Sequence, residues 1–333
     1  MIQLQISLLL SLSIYLSACN GNSSAQAPNN PPLETETPSQ GSSDSFKPYS
    51  YYDRAFPDDN IWNADISQAP VDPDSDLYIN SLGRNGTLHA DFGTVWEGSK
   101  LGIPVNVVYE NQPKVPVSFT YAEHSDKGPY PIPPNALIQH GQNSTGDRHL
   151  SVVDVDNGLL YEIYRAFPDG KGGWRGDSGA VFDLKTNKQR PDNFTSADAA
   201  GLPIFPALVR YDEVVLQGEI RHALRVTANK TRRAYVFPAT HQASTLTSTS
   251  LPPMGARLRL KADFDISAYP KHVQIILRAL KKYGMFIADN GVSWQITGDF
   301  NMNWDDQELA SLRRVPGSAF EVIKLPPLKY TPW

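Results

Sequence analysis

Leu150–Ala166 reads LSVVDVDNGLLYEIYRA. Two runs rich in Val, Leu, Ile and Tyr flank Asn157-Gly158, a dipeptide suited to a type I′ turn because both central residues need φ > 0. The stretch therefore predicts a β-hairpin, Leu150–Asp156 against Leu159–Ala166. With a two-residue turn, Asp156 faces Leu159, Val153 faces Glu162, Ser151 faces Tyr164 and His149 faces Ala166. Side chains alternate along a strand, so His149, Ser151, Val153 and Val155 share a face with Leu160, Glu162 and Tyr164.

The same signal recurs at Asn290-Gly291, between Met285–Asp289 and Val292–Thr297. Further short runs of strand composition lie at Pro104–Tyr109, Val115–Tyr121, Val181–Leu184, Ala207–Val214, Glu219–Thr227, Arg233–Phe237, Ala256–Ala262 and Phe320–Ile323. Helical spacing is clearest over Lys271–Tyr283, where Val273, Ile276, Leu277 and Leu280 form one stripe and Gly284 stops it. Shorter helices are expected at Ser75–Leu82, closed by Gly83, and at Asp305–Arg313. Many short strands with few helices predict a mostly β fold, an antiparallel β-sandwich or jelly roll with decorating helices. The alternative is an α+β domain whose central helix packs on one sheet.

The chain has 333 residues, 40% of them hydrophobic and 20% charged. Gly (23) and Pro (27) together come to about 15%, modestly above the usual share of about 12%. That excludes collagen and favours many turns. The formal net charge is −5 and the pI about 5.8, which argues against nucleic acid as a partner. Cys19 is the single cysteine, so neither an intramolecular disulfide nor a Cys-rich zinc site can form.

Ile6–Leu16 (ISLLLSLSIYL) is an apolar run of about eleven residues, too short for the roughly 20 that span a bilayer as a helix but suited to a signal peptide. It runs into Leu16-Ser17-Ala18-Cys19, which resembles the lipobox of bacterial lipoproteins, although Met1–Gln5 carries no Lys or Arg. The resemblance implies cleavage before Cys19 and attachment of a lipid, with palmitate among its acyl chains. Asn20, where Asp would favour inner-membrane retention, points by the same resemblance to the outer membrane. Asn20–Phe46 is rich in Ser, Asn, Pro and Gly and lacks the apolar surface to fold, so it reads as a tether reaching on the order of 30 Å. The expected organisation is a signal peptide at 1–18, a lipid-anchored linker at 19–46 and one β-rich domain at 47–333. The lipid anchor is the one expected membrane contact, and no sequence feature sets an oligomeric state.

The sequence contains no GxSxG, HExxH, Walker or Rossmann signature, and it calls for no cofactor or metal. Candidate chemistry comes from the hairpin face. There Glu162 lies beside a valine, with Tyr164 and His149 diagonally in reach, and partial burial would raise its pKa as a general acid needs. Equally, the face is an amphipathic outer strand. Asp212, in Arg210-Tyr211-Asp212-Glu213, is a possible second carboxylate, and Arg210 could neutralise a substrate carboxylate; otherwise the run is a salt-bridged strand end. His222 falls on the apolar face of its strand, either as a hydrogen-bonded core residue or as a base at the floor of a cleft. His241 with His149 and His222 would make a three-His metal set, which nothing in their spacing favours.

Residues 210–261 carry nine Lys/Arg and three acids, net +6, against −11 for the remainder. Arg257, Arg259 and Lys261 alternate onto one strand face, either as a strip for an anionic glycan or as a solvated surface. Trp174 and Tyr130 lie in Gly- and Pro-rich loops, where they either stack on sugar rings or plug the loops.

From about Arg54 to Val322 the chain resembles an uncharacterised family of secreted bacterial proteins. The resemblance rests on Gly146-Asp147-Arg148-His149, Leu160-Tyr161-Glu162, the run from Gly179 to Leu184 (GAVFDL) and the run from Thr195 to Ile204 (TSADAAGLPI). It continues in Arg210-Tyr211-Asp212-Glu213, His222-Ala223-Leu224-Arg225, Pro252-Pro253-Met254-Gly255 and Lys282-Tyr283-Gly284-Met285. It implies no activity, substrate or catalytic residue.

The expected function is that of an envelope-anchored carbohydrate-active enzyme whose partner is a polysaccharide or other envelope glycan. As a hydrolase it would use Glu162 as acid and Asp212 as base or nucleophile, and Glu162→Gln would abolish turnover. As a lyase it would use His149 or His222 as base, Tyr164 as proton donor and Arg210 on the uronate carboxylate. The alternative is a non-catalytic lipoprotein that binds glycan or peptidoglycan, or scaffolds an envelope complex.

Overall fold

A computed structural model describes residues 54–330, which fall within one compact unit. Cys19, the 1–18 peptide and the 19–46 linker lie outside the described residues. The fold is mostly β, with several sheets and a few decorating helices, as the composition and turn pattern lead one to expect.

The hairpin region opens the first of two larger sheets. Strands β4 (Val105–Val108), β6 (Leu150–Asp154), β7 (Leu159–Tyr164) and β10 (Ser178–Asp183) lie in the order β10-β7-β6-β4. Strands β6, β7 and β10 are antiparallel neighbours, while β4 runs parallel to β6. The hairpin is present, but its register differs from the expected one by two residues: Ser151 faces Glu162 and Asp154 faces Leu159. The cause is turn chemistry. The Asp154 carboxylate accepts from Asn157 N (3.2 Å) and Asn157 Nδ2 (2.9 Å), and Gly158 N donates to Asp154 O (2.8 Å), which closes a four-residue loop. Val155 is drawn away to donate to Val108 O of β4 (3.1 Å). A slip of two preserves the faces, so the expected grouping of Ser151, Leu160 and Glu162 stands.

One face of this sheet carries Val153, Leu160 and Ala180 into the main core. The other carries Leu150, Val152, Tyr161 and Ile163 against Tyr130 and Trp174. Trp174 belongs to a small three-stranded sheet of β5 (Val117–Phe119), β8 (Phe167–Pro168) and β9 (Trp174–Gly176). A separate hairpin is formed by β2 (Val95–Trp96) and β3 (Ser99–Lys100).

The second larger sheet has six strands, in the order β1-β14-β11-β13-β12-β15. They are β1 (His89–Asp91), β11 (Leu224–Ala228), β12 (Arg257–Leu260), β13 (Met285–Asn290), β14 (Gln295–Thr297) and β15 (Phe320–Val322). The second Asn-Gly does not make the expected hairpin, because β11 lies between β13 and β14. Gly291 N donates to Ala228 O (2.9 Å), and the chain crosses over the end of β11. Strands β11 and β13 are parallel, and their register shifts between Val226 and Thr227: Val226 faces Ile287, but Thr227 faces Asp289. The extra residue on β13 turns Asp289 to the face that carries Arg225 and Thr227.

Helices α1 (Ser75–Leu82), α2 (Lys271–Lys282) and α3 (Asp306–Ala310) fall where their local signals place them. Asp305 caps α3, accepting from Gln307 N and Glu308 N. Ala207–Val214 is not the expected strand. Pro206 sits in a tight 3-10 turn at Phe205–Ala207, and Asp212–Gln217 forms a widened helical turn in which Arg210 pairs with Glu213 at i+3. The run Arg233–Phe237 forms no strand either; Tyr235 makes single bridges to Met254 and Lys329.

The basic strip is a structural clamp, not a surface for an anionic polymer. Arg257 and Arg259 are buried, and their guanidinium groups grip the segment 61–69. Arg257 donates to Tyr283 O (2.8 Å), Ile61 O (2.9 Å) and Ala64 O (3.0 Å). Arg259 donates to Ala69 O (3.0 Å) and Ile66 O, and pairs with Glu321 (2.5 Å). We expect Arg257→Met to remove a donor from three carbonyls and cost about 3 kcal/mol, lowering Tm by about 6–10 °C in thermal unfolding.

Candidate functional site

Five of the six sequence-derived candidates are buried, four of them in polar networks away from the cleft described below. Glu162 is fully buried and bridges to the 195–210 segment, accepting from Ile204 N (2.9 Å) and Phe205 N (2.8 Å), with Ser151 Oγ at 3.4 Å. Burial pushes its carboxyl up to about 7 against those donors. The shift matches the expected direction, but the side chain is spent on holding the segment and meets no cleft. Arg210, Asp212 and His222 form a second buried network. Arg210 pairs with Asp212 (3.3 Å) and Glu213 (2.8 Å), and His222 Nε2 lies 2.9 Å from Glu213 Oε2. His222 Nδ1 donates to Ala223 O (2.9 Å), so both ring nitrogens are engaged and His222 is a hydrogen-bonded core residue, not a base. Glu162 and Asp212 are therefore not a catalytic acid and base, and Arg210 does not face a substrate carboxylate.

Trp174 and Tyr130 are likewise packed in the core, and neither is a sugar platform. His149, His222 and His241 do not converge: His241 Nδ1 donates to Ala199 O (3.1 Å), and among the described residues no group of three or more His, Cys, Asp or Glu is arranged to hold a metal ion.

Tyr164, the fifth candidate, lines a cleft of about 290 Å³ together with Tyr121, Asp147, Ser178, Asp198 and Asp289. Its hydroxyl donates to Asp147 Oδ1 (3.3 Å). His149, the sixth, is buried beneath it, with ring centroids 5.5 Å apart. Burial, aided by the Arg225 charge, pushes the His149 imidazole down to about 4, so the ring is neutral at pH 7; its buried Nδ1 meets no hydrogen-bond partner among the described residues. Tyr121, at the rim, is 55% exposed.

Three chain segments supply the carboxylates. Asp147 precedes β6, in a loop gripped by the buried Arg148, whose guanidinium donates to Gln142 O and Ser144 O (2.8 Å each) and to Ala166 O (2.9 Å). Asp198 sits in a turn that Ser196 organises: Ser196 Oγ accepts from Asp198 N (2.9 Å) and donates to Leu202 O (2.6 Å). The turn closes at Gly201, with φ 74°, where a Cβ would strike Thr240 Oγ1 and the Phe194 carbonyl. Asp289 comes from the bulged end of β13.

Behind the cleft, Arg225 grips Asp198 with two parallel hydrogen bonds, Nε to Oδ2 at 3.0 Å and Nη2 to Oδ1 at 2.7 Å. Its third nitrogen donates to Thr297 Oγ1 (2.6 Å). Asp289 Oδ1 accepts from Asn290 N (2.7 Å), and its carboxyl lies close enough to Asp198 for each to act on the other's protonation. Burial, then the Asp198 charge, push Asp289 up to about 7, with Arg225 opposing. Burial and the nearby Asp147 raise the Tyr164 phenol as well. Among the described residues no Lys or Arg lines the cleft.

Asp147, Asp198 and Arg225 all lie in stretches that stand out in the sequence (GDRH, TSADAAG, HALR), and Asp289 ends an expected strand beside Asn-Gly. Their assembly depends on separations of up to 142 residues, which no local pattern reports. Comparison with known protein families, curated proteins and solved structures finds no match for this chain.

Proposed function

We propose that the chain is an envelope-anchored lipoprotein whose folded part is a carbohydrate-active hydrolase acting at the Asp147–Asp198–Asp289 cleft. The observation that carries this reading is the convergence of three carboxylates from separate segments on one cleft bordered by Tyr121 and Tyr164. Glycoside hydrolysis needs one carboxyl that holds a proton and one carboxylate that accepts one. Asp289, pushed up to about 7 by burial and the Asp198 charge, is suited to the acid role. Asp147 is the base. The Asp289 proton passes to the glycosidic oxygen as the C1–O bond breaks, and a water oxygen bonds to C1 as Asp147 takes its proton. Asp198, held by Arg225, positions Asp289. Among the described residues no Lys or Arg lines the cleft to meet a substrate carboxylate, which favours an uncharged glycan over a uronate, a change from the anionic substrate considered from the sequence.

The test is a panel of neutral and acidic polysaccharides assayed for new reducing ends, with ultraviolet absorbance of unsaturated uronates read in parallel. Reducing ends from neutral glycans support the hydrolase; absorbance would replace it with a lyase, and binding without product with a glycan-binding module. Tyr121→Ala, which removes an exposed ring that can stack on a sugar face, is expected to raise KM about 5–10-fold with kcat nearly unchanged. The anchor rests on Cys19 within Leu16-Ser17-Ala18-Cys19. Cells fed labelled palmitate are expected to label the chain in the outer-membrane fraction, and Cys19→Ser to lose the label.

A further inference from the structure

A second concavity, of about 380 Å³, lies beside β3 and is lined by Lys100, Gly102, Pro104, Leu137, His140 and Phe300 among others. Its floor is backbone. Ile103 N donates to Gly298 O (3.0 Å) and Phe300 N to Ile103 O (3.4 Å). Gly102, with φ 100°, permits this approach, since a Cβ there would sit 2.8 Å from the backbone of Asp299 and Phe300.

The opposite wall, 135–142, is held by polar side chains, of which Asn106 and Arg148 are buried. Asn106 accepts from Leu137 N (2.7 Å) and donates to Leu137 O (3.0 Å). Arg148 grips Gln142 O, and Gln142 Nε2 donates to Ala136 O (2.9 Å). A wall so fixed needs little ordering when a ligand enters. Its apolar part is Ala136, Leu137 and Ile138, with Leu137 48% exposed. Lys100 Nζ stands 4.9 Å from the Phe300 ring centroid, and among the described residues no carboxylate pairs with it. The imidazole of His140 lies on the same rim.

We propose that this pocket binds a small amphipathic carboxylate, with the aliphatic body against Leu137, Ile138 and Phe300 and the carboxylate on Lys100. Its volume lies within the range of small-molecule sites, and one ammonium at an apolar mouth, in a chain of net charge −5, selects for a single anionic group. The pocket is separate from the acidic cleft, and its test needs no glycan.

The experiment is isothermal titration of decanoate into the full chain carrying Cys19→Ser, which removes the expected lipid acceptor. Saturable binding of one decanoate per chain is expected. Lys100→Met and Leu137→Asp should each weaken it about tenfold or more, and 1-decanol should bind at least about tenfold more weakly than decanoate. Both side chains are exposed, so the variants should keep the parent's unfolding transition; Lys188→Met, a lysine outside the pocket, should bind as the parent does. Absence of saturable binding, equal affinity for 1-decanol, or parent-like affinity in both pocket variants would overturn the proposal.

Discussion

Asp289→Asn is expected to lower kcat on a natural glycan by about 10²–10⁴-fold while leaving the fold and glycan binding in place. Asn is isosteric with Asp, and its amide oxygen can still accept from Asn290 N, so the neighbouring Arg225–Asp198 pair has no reason to move. What the variant lacks is a proton to give. An aryl glycoside such as a 4-nitrophenyl sugar departs without protonation, so its turnover should fall far less. The pH profile carries the same signature. Asp289 acts in its protonated form, so wild-type activity should decline as pH rises through about 7, and this alkaline limb should be missing from the residual activity of the variant. A kcat within twofold of wild type, or equal losses on both substrate types, would remove Asp289 from the acid role.

A second large effect concerns stability. Burial pushes Glu162 from an ordinary 4.5 and Asp299 from 3.8 to about 7 each. The folded state thus holds protons that the unfolded chain has already released between about pH 4 and 7. Because the native state binds more protons in that window, stability falls as pH rises through it. The contribution is fully present below the unfolded values and lost once pH passes the folded ones. For Glu162 alone the shift corresponds to about 3 kcal/mol, as an order of magnitude. Urea unfolding should therefore show a more stable protein at pH 5 than at pH 8. Glu162→Gln, which cannot ionise, should reduce that difference by the Glu162 share, leaving that of Asp299, while the alkaline limb of the activity profile remains. An unchanged pH dependence of unfolding in Glu162→Gln would mean that Glu162 meets no such penalty. This outcome replaces the expectation that Glu162→Gln acts on turnover itself.

How far each feature could be read from the chain depends on how local its cause is. α1 ends at Gly83, and α3 is capped by Asp305, because caps and helical stripes act within a few residues. The first hairpin was legible, but its register was not, because the Asp154 side chain competes with the backbone for the turn. The second Asn-Gly misleads for a non-local reason: β11, some sixty residues earlier in the chain, takes the place its partner strand would occupy. The same holds for chemistry. Glu162 looked exposed enough to catalyse because the amides that claim it belong to Ile204 and Phe205, 42 and 43 residues away. The cations at 257 and 259 looked like a surface because the carbonyls they hold lie some 190 residues earlier.

By itself, then, the sequence determined the β-rich class, the helices, the face shared by Ser151 and Glu162, and the expectation of a lipid at Cys19. These follow from side-chain alternation, helical period, capping and a short motif, all of which act over a few residues. Only the tertiary structure decided which polar groups are walls and which face a cleft. A buried carboxylate and a catalytic one are the same residue type until the partners that desolvate or hydrogen-bond them are known, and here those partners are far away in the chain. Tyr164 stayed at the cleft; its companions there are Asp147, Asp198 and Asp289, brought together by a loop, a turn and a bulge from three distant segments.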